Sequence, residues 1–264
     1  LDKSNLLTFF WGDALVTTIA DLLSFSLSIF DPGSDDITLT TNFGDSNIQE
    51  DTFLNNPSIG PDPFPSPEVN PRTLSLTGGH QYGLPGVYGL TLSALDDDGG
   101  AGGDQSLVIA TDNQTEIRTA GFWKNQYGQK VGTGVIYNSD FLFGFWEIIK
   151  FVSRIYDEAV SAQTLPEIEA ILSKSEIGNP MVERARSQCL ATLLNFASGS
   201  IDWDQLVDTD GETSDPDRIP DTVFSEAITQ AEELILSPTS TDSEYEQAKD
   251  ICDSINSMDS TGSP

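Results

Sequence analysis

Residues 76–104 read LTGGHQYGLPGVYGLTLSALDDDGGAGGD, and their pattern decides the fold. Pro85-Gly86 is a turn signal, because proline presets one turn dihedral and glycine accepts a positive φ after it. Tyr88, Leu90, Leu92 and Ala94 then alternate with Gly89, Thr91 and Ser93. That period of two marks a half-buried strand. The acidic, glycine-rich run from Asp96 to Asp104 is expected to leave the sheet as a loop. A β-sandwich whose loops are rich in oxygen donors is the reading this stretch supports.

The whole chain has 264 residues, room for two domains. Its formal net charge of −30 repels phosphate, so nucleic acid is excluded as a partner and cations are favoured. Two cysteines and one histidine leave little for zinc, haem or thiol chemistry. No run reaches the roughly 18 apolar residues of a membrane helix, so no transmembrane segment is expected. The chain opens at Leu1 with no signal-peptide pattern, and reads as a processed product or part of something longer.

Outward from the opening stretch, Phe25, Leu27 and Ile29 alternate with Ser24, Ser26 and Ser28. After a turn at Asp31 to Asp35, Ile37, Leu39, Thr41 and Phe43 alternate with Thr38, Thr40 and Asn42. Both runs are strands, expected to form a hairpin-like pair. The apolar Leu6 to Phe10 segment reads as an earlier strand. Prolines 57, 61, 63, 65, 67 and 71 make residues 46–75 an extended insertion. Ser106 to Ala110 is expected as the last strand.

The segments Phe30-Asp31-Pro32-Gly33-Ser34-Asp35, Asn42-Phe43-Gly44-Asp45, His80-Gln81-Tyr82, Pro85-Gly86-Val87-Tyr88 and Asp96-Asp97-Asp98-Gly99-Gly100 resemble, in order and spacing, a PKD domain over about 15–111. The insertion at 46–75 departs from that family's usual turn region. The resemblance implies an immunoglobulin-like β-sandwich over residues 1–112, in an extracellular or cell-surface protein. It implies spacing, adhesion or assembly, and no catalysis.

From residue 113 to 264 the pattern becomes helical. Ser139 opens a helix expected to run to about Ala162, and Thr164 with Glu167 has capping-box spacing. Asn179-Pro180 starts another, stopped by Gly199, with Val182, Ala185, Cys189, Leu193 and Phe196 on one face. Asp221 and Asp242 are expected to open the last two. Only Lys3, Arg72 and Arg118 of the twelve basic residues precede residue 120. Gly121-Phe122-Trp123-Lys124-Asn125 and Leu194-Asn195-Phe196-Ala197-Ser198-Gly199 are similar to a "GFWKN" helical segment of secreted bacterial and archaeal proteins. The fold class expected is therefore multidomain β plus α, a sandwich followed by an α-helical bundle domain.

Two acidic groups are candidate calcium ligands, since hard cations take six to eight oxygens. One is Asp96, Asp97, Asp98 and Asp104; the other is Asp208, Asp210, Glu212 and Asp215, where Ile219 replaces the closing glutamate of a calcium loop. A solvated loop is the alternative for each. Cys189 and Cys252 lie on buried stripes of two expected helices, as a disulfide or as two small buried thiols. The extracellular reading favours the disulfide. Phe122, Trp123 and Lys124 are a candidate partner-binding surface, or core. His80 stands without a second histidine or a nucleophile motif, so its expected role is structural.

The function expected is a non-enzymatic structural subunit of a surface layer or filament, a homopolymer assembling through protein contacts with calcium assistance. The alternative is an adhesion module that binds carbohydrate, such as a cell-surface glycan, or protein. A hydrolase using paired carboxylates has no motif in its favour.

Overall fold

The computed structural model describes residues 14–31, 35–55, 60–61, 71–129, 132, 134–157, 164–173, 180–209 and 222–258. The chain is a β region followed by several helices. It divides into two compact units, residues 1–83 with 87–110 and residues 84–86 with 111–264.

The first unit holds β1 (Leu15–Thr18), β2 (Leu23–Asp31), β3 (Ile37–Asn42), β4 (Ile48–Phe53), β5 (Arg72–His80), β6 (Gly86–Asp96) and β7 (Ala101–Thr111). They form a five-stranded sheet of order β1-β7-β6-β3-β4 and a two-stranded sheet β2-β5. One apolar cluster joins Leu23 of β2 to Phe43, Tyr82, Leu90 of β6 and Val108 and Ala110 of β7. A second joins Ile29 of β2 to Ile37, Leu39 and Ala94, with Leu74 and Leu76 of β5 against it. Both clusters draw on both sheets, so the inward-facing alternate residues of each strand make one shared core.

Three expectations are corrected. β2 and β3 do not pair as a hairpin: β2 pairs antiparallel with β5, and β3 with β4 and β6. Alternation identifies a strand but carries no information on its partner. Within the proline-rich region, Ile48–Phe53 and Arg72–His80 are strands, because the prolines cluster between them. The acidic loop shrinks to a turn at residues 97–100, and β7 begins at Ala101. Gly103 sits inside that strand because a β-carbon there would lie 2.6 Å from the Leu92 carbonyl oxygen. Gly86 starts β6 and is not among the glycines with positive φ.

The Phe43-Gly44-Asp45 turn has a definite geometry. Gly44 has φ +82°, and a β-carbon on it would come within 2.7 Å of the Gly89 nitrogen, so both glycines are required. The turn lets the Tyr82 hydroxyl donate to the Phe43 carbonyl at 3.1 Å. His80 stacks on Phe43 with ring centroids 4.1 Å apart, and its Nε2 lies 2.7 Å from the Asp45 carboxylate. Tyr82 meets the His80 ring edge-on and stacks on Tyr88. Burial, with Asp45 and Tyr88 nearby, pushes the Tyr82 phenol up to about 12.

The second unit holds α1 (Ala120–Tyr127), α2 (Ser139–Val152), α3 (Leu165–Leu172), α4 (Pro180–Ala197), the short strands β8 (Leu206–Val207) and β9 (Thr222–Val223), α5 (Phe224–Leu236) and α6 (Asp242–Asn256). α4 contacts α1, α2, α3, α5 and α6. Its second half, Cys189 to Ser198, is buried on every face rather than along one stripe. Small residues such as Ala191, Thr192 and Ala197 let neighbours approach all round. Gly199 ends it at φ +80°, where a β-carbon would sit 2.0 Å from the Asp112 carbonyl oxygen. Cys189 and Cys252 are joined as a disulfide between α4 and α6.

Other helix limits differ from the sequence expectation. α2 stops at Val152 instead of Ala162, and its cap is Asn138, whose side chain accepts the Phe141 N–H. Ser153 turns the chain because its hydroxyl donates to the buried Glu232 carboxylate. Thr164 and Glu167 form the capping box, and Thr241 and Glu244 form another ahead of α6. α5 begins at Phe224, since Thr222–Val223 pairs with β8; Asp221 and Asn179 lie outside the described residues. The expected strand at Leu6 to Phe10 lies outside them too.

Candidate functional site

The antiparallel register of β3 and β6 sets Ile37 opposite Asp96. That places the end of β2, the start of β3 and the β6–β7 turn at one end of the unit. Carboxylate oxygens of Asp31, Asp35 and Asp96 all lie within 4.8 Å of one another, as do those of Asp35, Asp97 and Asp98. Asp31, Asp35 and Asp36 are buried, while Asp97 and Asp98 face solvent. Like charges gathered this closely disfavour ionisation. Burial, with Asp36 and Asp35 beside it, raises the Asp97 carboxyl above the usual range.

Backbone and cation contacts hold the cluster together. The Asp35 N–H donates to Asp31 at 3.2 Å, the Asp36 N–H to Asp97 at 3.1 Å and the Asn55 N–H to Asp36 at 2.7 Å. The Gly100 N–H donates to Asp96, and Asp97 N–H to the Asp36 carbonyl. Arg72, at the start of β5, places Nε 3.5 Å from Asp31 and donates to the carbonyls of Asp35, Phe53 and Leu54. The arrangement fixes three chain segments so that oxygens converge, which is the chemistry a hard cation selects.

Of the sequence candidates, Asp96, Asp97 and Asp98 are brought together and Asp104 is not. Asp104 stands exposed on β7, its carboxylate accepting the Gln105 N–H. Asp31, Asp35 and Asp36 were not among the sequence candidates; a turn with three acids between two strands was their only local signal, and its meaning depended on sheet order. Asp208 follows β8 and is half-buried, while Asp210, Glu212 and Asp215 lie outside the described residues.

In the helical unit, Trp123 is fully buried, which corrects its assignment to a partner surface. Its Nε1 donates to Asn195 at 3.1 Å, and its ring packs against Tyr137 and Phe145. The Arg118 guanidinium lies 4.7 Å over the Phe122 ring. Lys124 lines a cavity of about 350 Å³ with Thr119, Gly121, Gln188, Asp253 and Asn256. Among the described residues, no helix is long and apolar enough to cross a membrane. No protein-family profile matches the chain, and no curated protein or solved structure is detectably similar to it.

Proposed function

We propose that this chain is a non-enzymatic structural subunit of an extracellular assembly, a surface layer or filament, built from copies of itself and assisted by calcium. In this reading the first unit is an immunoglobulin-like sandwich of the PKD type and the second a helical bundle. The observation that carries the reading is the two-stranded sheet. Among the described residues, its strands β2 and β5 pair only with each other, leaving nine-residue edges. Its outward face presents Ser24, Ser26, Ser28, Thr73, Ser75 and Thr77, all uncharged, on a chain of net charge −30. Unpaired edges are templates for another chain's strand.

Other features agree with the reading. The disulfide suits an oxidising compartment. His80 and Glu232, residue types that serve acid–base catalysis elsewhere, are engaged in holding a turn and a helix end. Calcium would be held by the Asp31, Asp35 and Asp96–Asp98 oxygens, and would relieve repulsion both inside that cluster and between copies. Electron microscopy of the purified chain with and without calcium tests the proposal. Ordered polymers or sheets are expected, more extensive with calcium; dispersed single particles in both conditions would reject it.

A second reading, an adhesion module, is favoured by the cavity at Lys124. Amide, hydroxyl, ammonium and carboxylate groups converge there through Gln188, Thr119, Lys124 and Asp253, a donor set that suits a sugar. A glycan array probed with the whole chain separates the readings, because an assembly subunit shows no glycan preference.

A further inference from the structure

The edge of β2 differs from the other sheet edges in the first unit. β1 is four residues long, and β4 carries Glu50 and Asp51, both common protections against edge-to-edge pairing. β5 contains Gly78 and Gly79, which weaken a strand. β2 runs from Leu23 to Phe30 with no charge, proline or glycine.

Its outward residues, with Leu22 just before the strand, read Leu22, Ser24, Ser26, Ser28, Phe30. Leu22 is 64% exposed and Phe30 53%, while the three serines between them are exposed. Leu22 lies over Gly79, where a β-carbon would meet its methyl groups at 3.3 Å, so it belongs to the same outer face. The order is a palindrome of polarity about Ser26. A two-fold interface requires that residue i meet j while j meets i. An antiparallel pair of β2 strands centred on Ser26 sets Leu22 against Phe30, Ser24 against Ser28 and Ser26 against itself. The inward residues follow the same symmetry, with Leu23 against Ile29 and Phe25 against Leu27. Charge points to the same partner. Two chains of net charge −30 repel, and this strand lets them meet with no ionisable group opposed between Leu22 and Phe30.

We infer that β2 is a homotypic docking edge: two copies join antiparallel about Ser26, extending the β5-β2 sheet into β5-β2-β2-β5. This rests on the self-assembly reading above and names its first contact. A two-fold contact closes on itself, so a filament or layer uses at least one further contact elsewhere.

The test uses the whole chain and single exposed-site variants. The two native cysteines are bonded to each other, so Ser26→Cys introduces a lone thiol. With a short thiol-specific cross-linker, Ser26→Cys is expected to give a covalent dimer. Ser75→Cys, on the neighbouring strand, is the control and is expected to stay monomeric on a denaturing gel. Ser26→Lys sets like charges opposite each other and is expected to weaken association about tenfold in sedimentation equilibrium. If the wild-type chain associates but Ser26→Lys associates equally, or Ser75→Cys cross-links as well as Ser26→Cys, this edge is not the contact, whatever else covers it. A wild-type chain that stays monomeric at every concentration rejects the self-assembly reading together with the edge.

Discussion

Asn195 on α4 and Asn256 at the end of α6 are joined by a buried hydrogen bond, Asn195 Nδ2 donating to Asn256 Oδ1 at 2.9 Å. Asn195 also accepts from the Arg118 N–H and Trp123 Nε1, and donates to the Arg118 carbonyl. Asn256 Oδ1 further accepts the Thr192 hydroxyl, and its Nδ2 donates to the Gln188 carbonyl. One amide pair therefore fastens α1, α4, α6 and the segment before α1. Buried groups left unpaired cost about 1–3 kcal/mol each.

Asn195→Ala strips partners from Trp123, Arg118 and Asn256 at once. It is expected to destabilise the chain by roughly 3 kcal/mol or more in urea denaturation. A loss below about 1 kcal/mol would mean that water replaces the amide without penalty, and the network would not be what holds these helices.

The disulfide spans 63 residues between two helices already in contact. Loop-closure entropy assigns it about 4 kcal/mol. Cys189→Ala with Cys252→Ala is expected to lower stability by that order and to mimic the effect of a reductant on the wild-type chain. A double variant as stable as the wild type contradicts this.

Glu232 gives a pH dependence. Burial raises its carboxyl above the usual range, against the opposing effects of the Ser153 hydroxyl and the Arg154 N–H. The folded state therefore holds this proton to higher pH than the unfolded state does. Its contribution is greatest below the unfolded value and declines as pH rises through the folded one. Glu232→Gln, which cannot ionise, is expected to flatten the fall in stability above the ordinary glutamate range. A steeper fall in the variant would reverse the sign and refute the assignment.

Much of the fold was legible because alternation and helical spacing report burial directly. Tyr88, Leu90, Leu92 and Ala94 do line the inner side of β6, and Thr164 with Glu167 does cap α3. Partnership was not legible. Nothing local to Phe25 or Leu39 says that their strands sit in different sheets, since pairing is decided by contacts as distant as Leu27 with Leu76. The same gap hid half of the acidic site. Asp96 to Asp98 announce themselves by clustering, whereas Asp31 and Asp35 join them only through the register of β3 on β6. Trp123 was ambiguous for another reason: an aromatic beside a lysine has the composition of a binding surface, and only Asn195, far along the chain, withdraws it into the core.

The acid cluster predicts a cation response that can be separated from general screening. Calcium is expected to raise the thermal midpoint more than sodium chloride at equal ionic strength. Asp35→Asn, which removes the carboxylate shared by both triads, is expected to abolish the difference. Equal responses to the two salts would assign the effect to screening alone.

The central claim is that the chain assembles with copies of itself, and light-scattering mass against concentration tests it most directly. The expected result is a mass that climbs above the 28.6 kDa of one chain as concentration rises, and climbs sooner with calcium. A mass fixed at one chain across the range, with and without calcium, would contradict it.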